Sequence, residues 1–141
     1  MTIDAGLPST IEELAHAFRS RHLTSEQVTT RCLEAIAERN PVLNAFIDVF
    51  HDEALQQARS ADAELRHGHD RGPVHGVPVA LKDLIDVAGR RTTAASRVRE
   101  RHVARADAVI ASRLRDAGAV LIGKNNLHEF ALGTTNEESW F

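Results

Sequence analysis

Apolar residues in the first half of the chain recur every three or four positions, which is the spacing of one face of a helix. The pattern predicts three amphipathic helices, the third covering Asp52 to about Arg66. The inward positions are Ile11, Leu14, Ala15 and Phe18 in the first, Val28, Cys32, Ala35 and Ile36 in the second, and Ala54, Ala58, Ala61 and Leu65 in the third. We therefore expect the chain to begin with a helical region.

Capping signals mark the predicted starts of the first two helices. Ser9 and Glu12 have the spacing of a capping box, with Thr10 as a competing cap. Thr24 and Gln27 repeat the signal before the second helix. Both signals place a side-chain oxygen where the first backbone N–H groups of a helix need an acceptor.

A strand-like segment and a clear break follow the second helix. That helix is expected to end before Pro41, since the residue preceding a proline avoids the helical region. Residues 44–50, "NAFIDVF", are strand-like. The polar, glycine-bearing stretch 66–76 is the clearest break in the chain. We therefore predict a helical region over residues 1–70 and the start of an α/β core over residues 71–141.

Beyond the break, the pattern changes to strand, loop, helix and strand. Val77 to about Ile85 is predicted to be a strand buried on both faces, and residues 119–123 a second buried strand. The helix between them begins near Asp107, and Gly118 stands where a C-cap glycine belongs. Its expected inward face is Ala106, Ile110, Leu114 and Ala117. This order predicts a crossover within a parallel or mixed sheet, and hence an α/β fold.

The composition is that of an ordinary globular protein: 43% hydrophobic, 26% charged, with a formal net charge of −3 over 141 residues. This near balance argues against nucleic acid or an anionic membrane surface as a partner. No apolar run has the length of a membrane span, and the N-terminus lacks the apolar core of a signal peptide. Cys32 is the only cysteine, which excludes an internal disulfide. A cytoplasmic protein is expected.

Lys82 interrupts the apolar run of the strand predicted at residues 77–85. Lysines are rarely buried, because removing water from an ammonium group is costly. In one interpretation, the stem packs while the ammonium reaches water or pairs with Asp83 or Asp86. In the other, it is a functional lysine at the carboxyl end of a strand, where open α/β sheets bind ligands and burial favours a neutral, proton-accepting amine.

Other candidate chemistry along the chain has simpler interpretations. The spacing of His67, His69 and His75 fits no standard zinc motif, so we expect a solvated loop, no metal and no cofactor. Lys124 lacks the glycine spacing of a phosphate-binding loop and is interpreted as structural. The six arginines within residues 90–105 are expected to lie in a solvated loop rather than to bind RNA.

Several blocks of sequence agree in order and spacing with one known family. Residues 72–96 contain G-P-x-x-G-x-P-x-x-x-K-D and then G-x-x-T-T-x-x-S, while residues 107–137 contain A-G-A-x-x-x-G-K-x-N and E-F-A-x-G. These blocks closely resemble the opening of the amidase signature family. The resemblance implies the N-terminal portion of the amidase signature fold, a helical region followed by strand, helix and strand of a mixed sheet, here incomplete.

The resemblance also implies an activity and a set of site residues. Members of the family hydrolyse amides with a Ser-Ser-Lys triad and no cofactor, and the matched lysine is Lys82. A neutral lysine takes a proton from a middle serine, whose preceding peptide is cis, and that serine activates the nucleophilic serine. A small-molecule amide is the expected substrate. Thr93, Ser96, Thr134 and Thr135 match blocks that are expected to line the substrate pocket.

The two serines of the triad belong to a glycine- and serine-rich segment that is expected soon after the final "GTTNEESWF" of this sequence. No serine of the 141 residues lies in such a context, so the isolated chain is predicted to be inactive. The strands that would cover its apolar faces are also expected later in the family's sequence. We therefore expect self-association or binding of a complementary chain.

Several functions are compatible with this sequence. The first is the N-terminal part of an amidase. The glutaminase subunit of a tRNA-dependent amidotransferase, which works with partner subunits, belongs to the same family. Different in kind are a non-catalytic gene remnant, one half of a split enzyme, and a free-standing α/β binding module.

Overall fold

The computed structural model of the protein describes residues 7–135 and 137–141. Within them, the chain forms four α-helices and three strands. In order they are α1 Ile11–Arg19, α2 Ser25–Leu43, β1 Phe46–Val49, α3 His51–Arg66, β2 Pro78–Lys82, α4 Val109–Asp116 and β3 Val120–Asn125, with 3-10 turns at Arg97–Arg99 and Glu129–Ala131. The predicted α/β fold with a helical start is confirmed.

The strand β3 is the centre of a three-stranded sheet with the order β1-β3-β2. It runs antiparallel to β1 and parallel to β2, so the predicted mixed sheet is confirmed. Residues Val120 to Lys124 of this strand are all buried. Leu81 pairs with Lys124 and Lys82 with Asn125, so the carboxyl ends of β2 and β3 lie side by side.

Apolar clusters cover both faces of the sheet, because Val120 and Ile122 of β3 alternate with Leu121. One cluster contains Leu33, Ala54, Ala58, Val120 and Ile122, from α2, α3 and β3. The other contains Phe50, Leu81, Val87, Ala111 and Leu121. A third cluster joins Phe18, Val28 and Val77. Apolar contacts therefore cross the boundary predicted at residue 70, and the division itself remains a prediction.

Both predicted capping signals are used, the first in a shifted register. The cap of α1 is Thr10, whose hydroxyl accepts from the Glu13 N–H, while the Glu13 carboxylate accepts from the Thr10 N–H. The alternative box of Ser9 and Glu12 is therefore wrong by one residue. Thr24 and Gln27 form the predicted box at the start of α2.

Replacement of Thr10 by alanine is expected to lower the free energy of unfolding by about 1 kcal/mol, since the Glu13 N–H loses its acceptor. Ser9→Ala is the matched control, because Ser9 contributes only its backbone N–H to the Glu13 carboxylate. Urea unfolding followed by circular dichroism compares the two variants. Equal losses of stability in both would contradict the assignment of Thr10 as the cap.

The helix α2 continues through Pro41 to Leu43, so the predicted end before the proline is wrong. The Asn40 side chain donates to the Phe46 carbonyl and accepts from the Phe46 N–H, at 3.0 and 2.7 Å. These two bonds hold the last turn of α2 against β1. Asn44 then ends the helix in the left-handed conformation, with φ 48°.

Two predicted inward faces are only partly buried in the structure. Ile11 is 53% exposed at the start of α1, while Ala15 and Phe18 of the same helix are buried as predicted. In α4 the fully buried residue is Ala111, whereas Ile110 and Ala106 are exposed. The three misplaced residues lie in or before a first helical turn, where only one side is covered by the rest of the chain.

Part of the apolar surface is left uncovered in the described residues. Val42, Val98 and Leu132 are each more than 80% exposed, and Val109 is 68% exposed. Single exposed apolar residues are ordinary, so self-association remains a prediction. Over residues 7–135 and 137–141, no helix combines the length and the apolar character that a membrane span requires.

Candidate active site

Lys82 is the last residue of β2, and its side chain is exposed. The prediction of a strand that continues to Ile85 and is buried on both faces is wrong, because Pro78, Val79 and Ala80 are only half-buried and the chain turns after Lys82. The Ile85 N–H donates to the Lys82 carbonyl at 2.9 Å, which closes this turn. Lys82 therefore stands at the carboxyl end of a parallel strand, as the functional interpretation requires. The burial that the same interpretation expected to favour a neutral amine is absent among the described residues, because Lys82 is exposed.

Asp83, the next residue, is buried, with 1% of its surface exposed. One carboxylate oxygen lies 2.8 Å from the Lys124 ammonium, and the other accepts hydrogen bonds from the Thr93 N–H and the Thr93 hydroxyl. The Asp83 carbonyl also accepts from the Ala94 N–H at 2.9 Å. Asp83 therefore pairs with Lys124 and the loop after β2, not with Lys82.

Lys124 is the buried lysine of this protein, with none of its surface exposed. Besides the Asp83 carboxylate, its ammonium donates to the Arg91 carbonyl and the Thr92 hydroxyl, both at 3.1 Å. All three donor hydrogens of the ammonium therefore have an acceptor, which a buried cation requires. Sequence reasoning missed this pair; the signal that could have indicated it is the order Leu81, Lys82, Asp83, in which Asp83, the first residue after β2, returns to the buried side.

The loop 91–96 contacts the buried pair and is held by backbone hydrogen bonds to the last segment of the chain. Ala94 and Ala95 both take the left-handed conformation, with φ 55°, which non-glycine residues seldom adopt. The carbonyls of these two alanines accept from the N–H groups of Phe130 and Trp140, at 2.9 and 3.0 Å. The final segment of the chain thus holds the loop in place.

The four residues predicted to line a substrate pocket fall into two groups. Thr93 and Ser96 are completely buried, and the Ser96 hydroxyl accepts from the Val98 N–H at 3.3 Å. Thr134 and Thr135 are exposed. Thr93 thus contacts the buried pair directly, whereas the other three do not join it. Their role as pocket residues stays a prediction.

His75 departs from the expectation of a solvated histidine loop, since only 2% of it is exposed. Its Nδ1 accepts from the Arg71 N–H, while its Nε2 lies 3.2 Å from the Glu64 carboxylate without the alignment of a hydrogen bond. Burial lowers the pKa of His75, and the Glu64 carboxylate opposes that shift. Among the described side chains, no three His, Cys, Asp or Glu residues are grouped so that they could hold a metal ion.

Protein stability is expected to fall as the pH drops below about 6.5, because the pKa of His75 is lower in the folded than in the unfolded chain. Between these two pKa values the unfolded chain binds the additional proton. The slope due to this one group is at most about 1.4 kcal/mol per pH unit. Urea unfolding at pH 5.5 to 7.5 should show a smaller slope in His75→Gln than in the unchanged protein; equal slopes would rule out this source.

Comparison with known protein families identifies one that covers most of the chain. The family model described as Amidase matches residues 27–141. One of the similar relatives is a glutamyl-tRNA(Gln) amidotransferase subunit from Azoarcus sp. (strain BH72), 44% identical over 133 residues, which are 94% of this chain and 27% of that protein. The subunit of the same name from Methylobacillus flagellatus is 42% identical over 131 residues, covering 93% of this chain and 26% of its own length.

A solved structure shares the fold. The native peptide amidase of Stenotrophomonas maltophilia superimposes with a TM-score of 0.84 and 36% identity, over 95% of this chain and 28% of the amidase. The chain thus spans about a quarter of the length of the relatives that it matches.

Proposed function

Because this chain belongs to the amidase family, we propose that it forms the amino-terminal part of an enzyme that hydrolyses a carboxylic amide to an acid and ammonia or an amine. The chain spans about a quarter of its relatives, so the proposal concerns the complete enzyme. The proposed substrate is a small-molecule amide, and the proposed reaction uses no cofactor.

Lys82 is proposed to act as the base of a Ser-Ser-Lys triad. Its neutral amine takes a proton from the middle serine, which takes one from the nucleophilic serine as that oxygen attacks the amide carbonyl. The tetrahedral intermediate expels ammonia or the substrate's amine, which receives the proton that the triad had taken up, and water then hydrolyses the acyl-enzyme. Both serines belong to the part of the family's sequence outside these 141 residues.

The observation that supports this role is the contrast between the lysines at the ends of β2 and β3. Lys124 is buried and bonded to three acceptors, so its amine is not available to a substrate. Lys82 is exposed at the carboxyl end of β2, the end at which α/β sheets bind ligands. Its amine is the one that a second segment carrying the two serines can reach.

The predicted pocket residues are proposed to act in two ways. Thr134 and Thr135 are exposed, so a bound substrate can contact them. Thr93 and Ser96 are buried, so their proposed role is to maintain the conformation of the loop 91–96 rather than to contact the substrate directly. The proposed acyl-group specificity then depends on Thr134 and Thr135 within this chain.

A second candidate is the glutaminase subunit of a tRNA-dependent amidotransferase. The observation that favours it is the identity of 44% and 42% to the amidotransferase subunits from Azoarcus sp. and Methylobacillus flagellatus. In this case the amide is glutamine, the ammonia is passed on, and the chain works with further subunits. Hydrolysis of glutamine in preference to other amides would distinguish it from the first candidate.

The isolated chain is proposed to be inactive, since none of its serines stands in the family's glycine-serine context. Within the described residues, β2 is an edge strand of the sheet, so one side of its backbone is unpaired. A complementary chain could pair there and supply both serines, as in a split enzyme. A gene remnant would have no such partner.

The test uses two samples, the 141-residue chain and a chimera in which it replaces the matching quarter of the S. maltophilia peptide amidase. Both are incubated with glutamine, simple carboxylic amides and peptide amides, and released ammonia is measured. We expect no release by the chain alone and turnover by the chimera. Ammonia release by the isolated chain would overturn the proposed inactivity, and a folded but inactive chimera would overturn the proposed function.

The intact mass of the native protein in cell extract separates the remaining possibilities. An antibody against residues 72–96 captures it without assuming a partner. A mass well above 15.5 kDa would identify this chain as a piece of a larger enzyme. A mass of 15.5 kDa with a co-purifying chain would indicate a split enzyme, and without one a remnant.

A further inference from the structure

The protein contains only two lysines, and they lie in opposite environments near the carboxyl ends of neighbouring parallel strands. These two lysines are Lys82 and Lys124. The register of β2 and β3 places them one position apart, since Lys124 pairs with Leu81. One side chain is exposed and the other has none of its surface exposed.

Asp83 lies between these two lysines. Asp83 is the first residue of the turn after β2, and its N–H continues the ladder of β2 by donating to the Asn125 carbonyl at 3.0 Å. The Asp83 carboxylate is buried, 2.8 Å from the Lys124 ammonium, while the preceding Lys82 is exposed. A carboxylate is thus one residue away from the proposed base.

We propose that Lys124 is a positioning residue for Lys82, acting through Asp83. The inference rests on the proposed function of Lys82 as a base. Lys124 neutralises the Asp83 charge, so that no unpaired carboxylate favours the charged ammonium form of Lys82. The same ammonium ties the loop 91–96 to the ends of β2 and β3, which holds the backbone of Lys82 in place.

Electrostatics gives the direction of this effect. An unpaired carboxylate beside an amine stabilises the ammonium form, which can neither accept a proton nor react as a nucleophile. A paired carboxylate and ammonium have no net charge, and a neighbouring amine meets only a weak dipole field. A lysine whose task is to accept protons therefore gains from the neutralisation of Asp83.

Competitive labelling of Lys82 in the 141-residue chain tests the proposal without catalysis. A limiting amount of acetic anhydride is added at pH 7 to 11 together with a free amine as internal standard, and mass spectrometry quantifies acetylation of Lys82. In Lys124→Met we expect the midpoint of the pH profile to move to higher pH. Labelling below the midpoint should slow about threefold, which corresponds to a midpoint shift of about half a pH unit.

Two further variants test the same charge effect. One should move the Lys82 midpoint in the opposite direction, and the other should restore it. Asp83→Asn leaves the Lys124 ammonium unpaired, so the Lys82 midpoint should move to lower pH. The double variant Asp83→Asn, Lys124→Met has neither charge and should return to the midpoint of the unchanged chain. Asp116→Asn, which removes an exposed carboxylate at the end of α4, is the control for a change in net charge alone.

Folding is monitored in the same samples. Lys124 is buried, so its own acetylation in the unchanged chain and in Asp83→Asn reports unfolding, and circular dichroism monitors the variants that lack it. If Lys124→Met unfolds, Asp83→Asn and the double variant still show in which direction the charge of this pair moves the Lys82 midpoint. Unchanged midpoints in folded variants, or equal changes of rate at every pH, would overturn the positioning role. Shifted midpoints together with a chimera that does not need Lys82 would instead overturn the proposed function alone.

Discussion

Replacing Lys82 by arginine in the chimera is expected to lower kcat/KM for amide hydrolysis by about 10²- to 10⁴-fold, the usual contribution of a positioned base. Arginine preserves the positive charge and most of the length of the side chain. Its guanidinium does not lose a proton under working conditions, so it cannot take one from a serine. The variant therefore separates the role of a base from that of a fixed cation.

The measurement is the initial rate of ammonia release at several amide concentrations, so that kcat and KM are obtained separately. Lys82→Ala should be as inactive as Lys82→Arg, because both lack a base. Arg105→Ala removes an exposed cation from the loop before α4 and should leave both constants unchanged. Retention of most of the activity by Lys82→Arg would show that Lys82 supplies only charge, and would refute its role as the base.

Replacing Lys124 by methionine is expected to lower the free energy of unfolding by about 3–5 kcal/mol. The buried Asp83 carboxylate would lose its counter-ion, and the Arg91 carbonyl and Thr92 hydroxyl would each lose a donor. Methionine fills nearly the same volume, so the loss reports charge and hydrogen bonding rather than a cavity. A decrease of this size is a large part of the stability of a typical domain.

The chain offers a closely matched control for this variant. Lys82→Met makes the same chemical change at the end of the neighbouring strand, at an exposed position, and should alter stability by less than about 0.5 kcal/mol. Urea unfolding of both variants at pH 7 provides the comparison. In the double variant Asp83→Asn, Lys124→Met part of the loss should be recovered, because no charge remains unpaired. Similar losses in the two single variants would contradict the burial of the Lys124 pair.

Local sequence signals were sufficient wherever a structural feature depends on residues that are close along the chain. The capping boxes, the apolar stripe of α3 and the glycine after α4 are read within a few positions, and each was predicted in place or within one residue. The alternation of strand and helix was likewise sufficient for the mixed sheet. Spacing within the blocks at 72–96 and 107–137 also pointed to the family.

Features that depend on distant residues were missed or displaced. The burial of His75 follows from its packing against Glu64 and Gly118, which no pattern around residue 75 contains. The passage of α2 through Pro41 depends on the bonds between Asn40 and Phe46, which form only once β1 is in place. The exposed side of α4 depends on how much of the surrounding chain covers it.

The sequence by itself determined the class of fold, the family and the lysine that family membership singles out. Only the tertiary structure decided which of the two lysines is buried, because Asp83 and Lys124 are 41 residues apart and meet through the parallel pairing of β2 with β3. An ammonium loses its water only where a carboxylate and carbonyl groups converge on it, and that convergence is a property of the folded sheet and its loop.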